Sequence, residues 1–465
     1  MIKRVNILCL LLLFALVPLS SNSTEDNQEA PAIEIVQPPI IPGTDQEPDF
    51  SDSGGLLEGF ATSDGFFSVS FMPDFSFGKV LLQLNVKLEG QATFDPFDVS
   101  FDFSDYKIPT REEGQPFSDY SKSVLIHFSR FIRSIQYGQR YDPIYLKFGK
   151  LIGITLGNGS LINGYFDRGV PARSSRAGLD VMLDGSLLKV PYAGFEFITN
   201  DIFDPTLIAW RIFAQPMYEF TDYPNLSKLR FGLSFATNPQ REEEEQAIEK
   251  GRKLIAIDVS YPLLSNKLLS LDLFSDLIFQ LPDSITTEMG IATRYGIWGH
   301  SGEFFVFNSS ITKPRYGVFY SDYFASGFES RTPSELEKSQ IPLQSSRIDS
   351  MVGLNFSKLG LYVKSQMSSL YTNGDYSDYR FSVQGKIDKR LFNIVSLDLR
   401  YEKLYPTSTG EAFFEGLRTL RNVDITATTV VKIKPYTFDI GLTVQFDENA
   451  ELTYQIESAV RITIL

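Results

Sequence analysis

The chain of 465 residues is 43% hydrophobic and 22% charged, a globular balance that excludes wholesale disorder. Lys and Arg number 43 against 57 Asp and Glu, and the net charge of −14 argues against nucleic acid as a partner. One Cys and two His exclude a disulfide scaffold and Cys-based zinc, and argue against a His-rich metal site or a common hydrolase mechanism.

Residues 1–23 have the order of a secretory signal peptide. Lys3 and Arg4 precede an apolar run from Ile7 to Leu19, and Ser21-Asn22-Ser23 offers small residues for cleavage after Ser23. The apolar run is shorter than the roughly 20 residues a membrane helix needs. Cys9 lies inside that run rather than at its end, where a lipidated cysteine would sit. Cleavage removes the only Cys and takes the net charge to −16. Residues 24–58 follow with five Pro, nine Asp or Glu and no Lys or Arg, the composition of a disordered acidic linker.

From residue 59 the expected domain is a β-barrel that runs to residue 465, with clear alternation from about residue 65. Val80, Leu82, Leu84, Val86 and Leu88 alternate with mostly polar residues. Segments at Ile255–Tyr261, Leu269–Phe279, Tyr379–Ile387, Val395–Tyr401, Val423–Ile433 and Tyr436–Phe446 do the same. Each reads as a strand with one apolar and one polar face. Many are 9–13 residues long, whereas the usual strand has about 5–6 and a tilted bilayer-crossing strand about 9–11. No run of 18 apolar residues follows the leader, so no transmembrane helix is expected. Long strands, charges on the polar face, secretion and a mature chain without Cys point to an all-β fold. That fold is a transmembrane antiparallel β-barrel in the bacterial outer membrane. At roughly 25 residues per strand plus connection the barrel has about 16 strands, with 14–18 allowed. The final alternation, Tyr454 to Leu465, reads as its closing strand.

Periodicity changes over residues 118–136. Val124, Leu125, Phe128, Phe131, Ile132 and Ile135 recur at steps of three and four, which predicts an amphipathic helix with Ser118 or Asp119 as N-cap. Its polar face carries Lys122, His127, Arg130 and Arg133. Such a helix can cap one barrel end, plug the lumen, or lie on the periplasmic membrane surface with its basic residues at the headgroups. Basic residues continue beyond it at Arg140, Lys147, Lys150, Arg168, Arg173 and Arg176. The candidate constriction or plug is therefore Lys122, His127, Arg130, Arg133, Arg140, Lys147, Arg168, Arg173 and Arg176. A lumenal ring of Arg would select anions. The alternative is that these residues pair with acidic wall residues such as Asp180, Asp184 and Glu196. The Gly157-Asn158-Gly159 stretch lacks the third Gly and the Lys-Ser/Thr of a phosphate loop, and reads as a tight turn or a site of close chain packing. Residues 241–249 read as a charged external loop, 313–346 as a long external connection, and 406–420 as a loop with a short helix.

Three stretches carry a resemblance: Arg130-Phe131-Ile132-Arg133-Ser134-Ile135-Gln136-Tyr137-Gly138, Asp142-Pro143-Ile144-Tyr145-Leu146-Lys147-Phe148-Gly149, and Thr155-Leu156-Gly157-Asn158-Gly159 with Asn163-Gly164-Tyr165. They resemble uncharacterised outer-membrane β-barrel proteins of spirochaete type, over roughly residues 65–215. The position of Asn158 is often His in that pattern, so this chain departs there. The resemblance implies an outer-membrane barrel and no particular activity. It also implies that the region from the helix to Tyr165 is a shared device.

A barrel of this size suits a porin-like channel for passive or weakly selective passage of small polar solutes. The alternatives are an adhesion or structural barrel working through long extracellular loops, and a plugged barrel that moves hydrophobic compounds. An enzyme is not expected. His127 and His300 have no nucleophile motif beside them, and Trp298-Gly299-His300-Ser301-Gly302 reads as a turn. No catalytic residue, cofactor or metal is expected. Expected partners are outer-membrane lipid, the barrel-assembly machinery and small polar solutes. The sequence sets no oligomeric state.

Overall fold

The computed structural model describes residues 55–61, 66–94, 97–103, 106–140, 142–149, 151, 154–163, 165, 177–188, 190, 192–205, 207–217, 224–237, 253–265, 269–281, 289–301, 304–317, 319–320, 340–356, 359–373, 375–387, 395–404, 419–433, 436–447 and 449–462. All belong to one compact unit, Val36–Leu465. The signal peptide, most of the linker, residues 241–249 and 405–418, and Lys150, Arg168, Arg173 and Arg176 lie outside them.

The first strands are β1 (Gly55–Ala61), β2 (Phe66–Phe77), β3 (Val80–Leu84), β4 (Val86–Phe94) and β5 (Phe97–Asp102). A helix, α1 (Phe117–Ser129), separates them from a run of short strands. These are β6 (Ile132–Tyr137), β7 (Ile144–Gly149), β8 (Gly178–Asp184), β9 (Ala193–Thr199), β10 (Ile208–Ala214) and β11 (Arg230–Thr237). Longer strands follow: β12 (Lys253–Ser265), β13 (Ser270–Leu281), β14 (Gly290–Ser301) and β15 (Phe305–Tyr316). After the two-residue pair β16 (Phe319–Tyr320) and β17 (Gln340–Ile341) come β18 (Ser345–Phe356), β19 (Leu361–Thr372), β20 (Asp375–Ile387) and β21 (Val395–Leu404). The last are β22 (Val423–Ile433), β23 (Tyr436–Phe446) and β24 (Leu452–Ile462).

Among the described residues, 22 strands form one antiparallel sheet. From β6 to β15, and from β18 to β24, each strand pairs with the next, and β15 pairs with β18. The N-terminal end branches. β2 pairs with β3 through Asp74–Phe77 and with β4 through Phe66–Phe71. β3 continues the sheet to β6, while β4 pairs with β5. β1 pairs with β2 on one side and with β24 on the other, Gly55 facing Ile462 and Gly59 facing Ser458.

Alternation gives the sheet two chemically opposite faces. One cross-strand row reads Val181, Phe197, Trp210, Phe235, Ile255, Phe279, Ile291 over seven strands, without a polar residue. A second apolar row, over the earlier strands, reads Phe75, Leu82, Ile135, Phe148, Leu179. The other face carries the charges. In one of its rows Gly232, Asp258, Asp276, Arg294, Thr312 and Arg347 are successive partners. Burial is inverted relative to a water-soluble sheet. Arg211 is 2% exposed and Asp276 0%, whereas Ile212, Tyr295 and Ile440 on the apolar face are each 50% exposed.

The sheet has more strands than the 14–18 expected. The estimate assumed spans of about 10 residues, but β6–β11 are only six to eight residues long. β1 also falls partly in the stretch read as linker. The expected helix over 118–136 is shorter, Phe117–Ser129, and starts after Pro116 with no side-chain cap. Ser118 and Asp119 therefore sit in its first turn. Ile132 and Ile135 leave the helical pattern because they enter the sheet, opposite Leu84 and Leu82. The stretch at His300, read as a turn, is the end of β14. There Gly299 lies under the Phe307 ring, in space a β-carbon would fill. Among the described residues no helix is long and apolar enough to cross a membrane, which says nothing of strands.

Connections differ between the two ends of the strands. The end holding residues 78–79, 138–143, 185–192, 266–269, 302–304, 357–360, 388–394 and 434–435 has mostly short connections, 215–229 being the long one. The other end holds the long connections 150–177, 317–344 and 405–422. β1 starts, and β24 finishes, at the short-turn end.

Candidate functional site

Part of the long connection after β7 returns over the polar face. It folds as a narrow hairpin, with Ile154 and Tyr165 exchanging backbone hydrogen bonds of 3.1 and 2.8 Å and Leu156 N–H donating to Ile162 O at 3.0 Å. The tip turns at Gly157 (φ 54°) and Gly159 (φ 77°), as the glycine reading predicts. Leu151, Ile154, Leu156, Leu161, Ile162 and Tyr165 pack on Ile198, Leu207, Ala209, Ala236, Leu254, Ala256, Ile278 and Ala292 of β9–β14 and the turn before β10. The four wall alanines leave room for that approach. Each large apolar side chain buried here contributes about 1.5–3 kcal/mol.

Beside this apolar patch the hairpin tip meets buried charges. Asn158 Nδ2 donates to Asp276 Oδ1 at 2.9 Å, and its Oδ1 accepts from Ser260 Oγ at 2.9 Å. Its backbone carbonyl accepts from Arg294 Nη1 at 2.8 Å. Arg294 also pairs with Asp276 at 3.2 Å and donates Nε–H to Ser310 Oγ at 3.2 Å. On the next strands Arg211 donates to Asp258 through Nη2 (2.7 Å) and Nε (3.2 Å), and reaches Glu196 at 3.5 Å. Arg211 and Asp258 belong to β10 and β12, so their pair spans β11. It crosses at Gly232, where a β-carbon would collide with both side chains. Arg211 also lies over the Phe213 ring at 4.9 Å, and Arg294 over Phe274 at 4.9 Å.

Arg140 continues the ladder from the turn before β7. It pairs with Asp180 at 2.5 Å and Glu196 at 3.7 Å, and donates to the hairpin carbonyl of Thr155 at 3.2 Å. Lys147 is buried on β7 with Asp180 as its cross-strand partner. Four cations (Arg140, Lys147, Arg211, Arg294) thus stand among four anions (Asp180, Glu196, Asp258, Asp276). For Arg140 and Lys147 the arrangement is pairing with acidic wall residues, Asp180 and Glu196.

The structure gathers only part of the expected constriction. Arg140 and Lys147 join the ladder. Lys122 and Arg130 are exposed on and just after α1. His127 is buried against the rings of Phe128 and Phe131, and Arg133 donates to Met72 Sδ at 3.0 Å. Arg168, Arg173 and Arg176 lie outside the described residues. Arg211, Asp258, Asp276 and Arg294 escaped the sequence reading. Their only signal was a charge in the polar phase of a strand, which a solvated strand shows equally. Among the described residues no group of His, Cys, Asp or Glu is arranged to hold a metal ion.

The polar face of β18–β21 is different. Arg347 pairs with Asp349 at 3.0 Å, and Ser368 Oγ donates to Asp349 at 2.7 Å. Gln384 Nε2 donates to Asp398 at 3.1 Å, and Arg400 pairs with Glu402 at 2.9 Å. The Asp349 and Arg400 side chains remain 36% and 43% exposed.

No family model and no curated protein matches this sequence. Solved structures match at low similarity. Wzi of Escherichia coli, an outer-membrane carbohydrate-binding β-barrel involved in group 1 capsule assembly, is 13% identical, with 89% of this chain and 82% of that chain covered and a TM-score of 0.34. OccD3 (OpdP) of Pseudomonas aeruginosa is 8% identical, covering 89% and 92%, with a TM-score of 0.35. OccAB2 of Acinetobacter baumannii is 8% identical, covering 88% and 95%, with a TM-score of 0.34.

Proposed function

We propose that the chain is a transmembrane β-barrel of the bacterial outer membrane that works as a passive, weakly selective pore for small polar solutes. The observation that carries this reading is the inverted polarity of the sheet: buried charge on one face, exposed aliphatic and aromatic rows on the other. Apolar rows exposed over so many strands would be unstable in water and are at home in lipid. The β1–β24 pairing gives the first and last strands a partner on each side, which removes the open edges that a bilayer does not tolerate. With β3 and β4 acting as one strand and β5 as a side branch, the wall has 20 strands. That is an even number, and barrels of about 16–18 strands already leave an aqueous channel. The short-turn end lies in the periplasm and the long connections outside. The hairpin at 151–165 fills the lumen beside β8–β14, and solutes pass along the β18–β21 wall. The chain has no catalytic role in this reading.

Planar-bilayer conductance of the purified protein tests it, beside a variant with residues 154–163 replaced by a Gly-Ser linker. Discrete steps from the intact protein, enlarged in the variant, are expected. Folded protein that gives no steps in either form would overturn the pore reading.

A further inference from the structure

We propose that α1 and the β4–β5 branch form a lipid-docking device, with α1 lying in the membrane boundary outside the barrel. This inference rests on the barrel reading. The first observation is continuity of the apolar face. Phe101 of β5 is the cross-strand partner of Gly90, in the same alternation phase as Leu88 and Val86 of β4. Val86 is in turn the partner of Phe71, which shares the apolar face of β2 with Phe75. From Phe101 the ring contacts continue without a gap. Phe101 meets Phe103 at 6.3 Å, Phe103 meets Tyr106 at 6.5 Å, and Tyr106 meets Phe131 at 5.4 Å. Phe131 meets His127 at 5.5 Å, and His127 meets Phe128 at 5.4 Å. One aromatic chain thus joins the lipid-facing wall to the helix.

The second observation is the helix itself. Phe117 is 68% exposed, Phe128 49% and Leu125 44%. With Val124 they fall within an arc of about 100°. Lys122, Asp119 and Arg130 occupy the opposite arc. His127 and Ser129, the two buried positions, flank these arcs. A helix that shows an apolar stripe and a charged stripe to its surroundings at once has the pattern of an interfacial helix. A helix packed on a protein core would bury the first stripe.

The third is position. The chain leaves the sheet after Asp102, opposite Glu89, and re-enters at Ile132, opposite Leu84. β6 therefore begins at the end where β7 stops and the long connections start. α1 is held at the boundary of the shortest strands. Phe117 and Phe128 would enter the acyl region there, with Lys122 at the phosphates.

The sequence offers a clean test because it holds a single Cys, Cys9. In a Cys9→Ser background, single variants Phe117→Cys, Phe128→Cys, Lys122→Cys and Ile212→Cys are labelled with an environment-sensitive fluorophore. They are then reconstituted into phosphatidylcholine vesicles containing doxyl lipid. Each variant is first shown to retain the intact protein's β-sheet circular dichroism. Labels at 117 and 128 are expected to be quenched about twofold more by shallow than by deep doxyl groups, the label at 212 by deep groups, and the label at 122 by neither. Quenching at 212 but not at 117 and 128 overturns the docking proposal and leaves the barrel reading intact. Lack of quenching at 212 overturns both. Protection at 117 that follows protein-to-lipid ratio rather than doxyl content marks a second copy as the occupant and overturns the lipid assignment.

Discussion

The β8–β14 wall and the β18–β21 wall present the same alternation to the same side, yet they treat charge in opposite ways. On the first, Arg211 and Arg294 are paired and buried under the 151–165 hairpin, and Arg140, paired with Asp180, donates to the hairpin from its margin. On the second, Arg347 pairs with Asp349 and Arg400 with Glu402, each within its own strand, and the Asp349 and Arg400 side chains stay partly open to solvent. A buried pair holds structure because losing one partner strands the other in a low-dielectric site. A pair open to water adds little stability and leaves its charge available to passing ions. In the proposed pore, the difference separates a structural wall from a conducting one.

Substitutions break that comparison in graded steps. Arg294→Met removes the partner of Asp276 and the donor to the Asn158 carbonyl, and is expected to cost about 3–5 kcal/mol. Denaturant titration of the folded protein checks it, and a loss below that of Arg400→Met would contradict the two-wall picture. Gly232→Ala comes next, because its β-carbon displaces the Arg211–Asp258 pair. The expected loss is about 1–3 kcal/mol in the same titration.

Asn158→Ala removes the two side-chain hydrogen bonds at the hairpin tip, worth about 1 kcal/mol each. Its signature is functional: more frequent large-conductance events in single-channel records, with Asn158→His, which keeps one donor, lying nearer the parent protein. The smallest stability effect belongs to Arg400→Gln on the open wall, about 0–1 kcal/mol. There the reversal potential in a salt gradient should move toward cation preference. Arg140→Gln, on the covered wall, should destabilise the protein without moving that potential. Equal selectivity shifts from both variants would erase the distinction between the walls.

Much of the sheet was legible in the sequence. Segments such as Val395–Leu404 and Tyr436–Phe446 announce themselves because alternation is local and runs for ten residues or more. Shorter strands such as Ile144–Gly149 and Ile208–Ala214 carry only three or four residues per face, which blurs into loop composition. The helix was legible but overlong, since Ile132 and Ile135 fit a helical step, and only a bulge between them lets both face Leu84 and Leu82 in the sheet. Of the site, Arg140 and Lys147 were visible as local basic density. Their partners Asp180 and Glu196 were named as one of two possible fates.

The sequence by itself determined that the chain would make many two-faced strands, with apolar residues in one phase and charges in the other. That follows from a period of two, set within each strand by backbone geometry. Tertiary structure decided which charges are neutralised and which stay open. Asn158 meets Asp276 across 118 residues and Arg294 across 136. No local pattern encodes such meetings. They arise because pairing places β8–β14 side by side, and because four alanines on that wall leave space for an apolar hairpin to fold down and seal it.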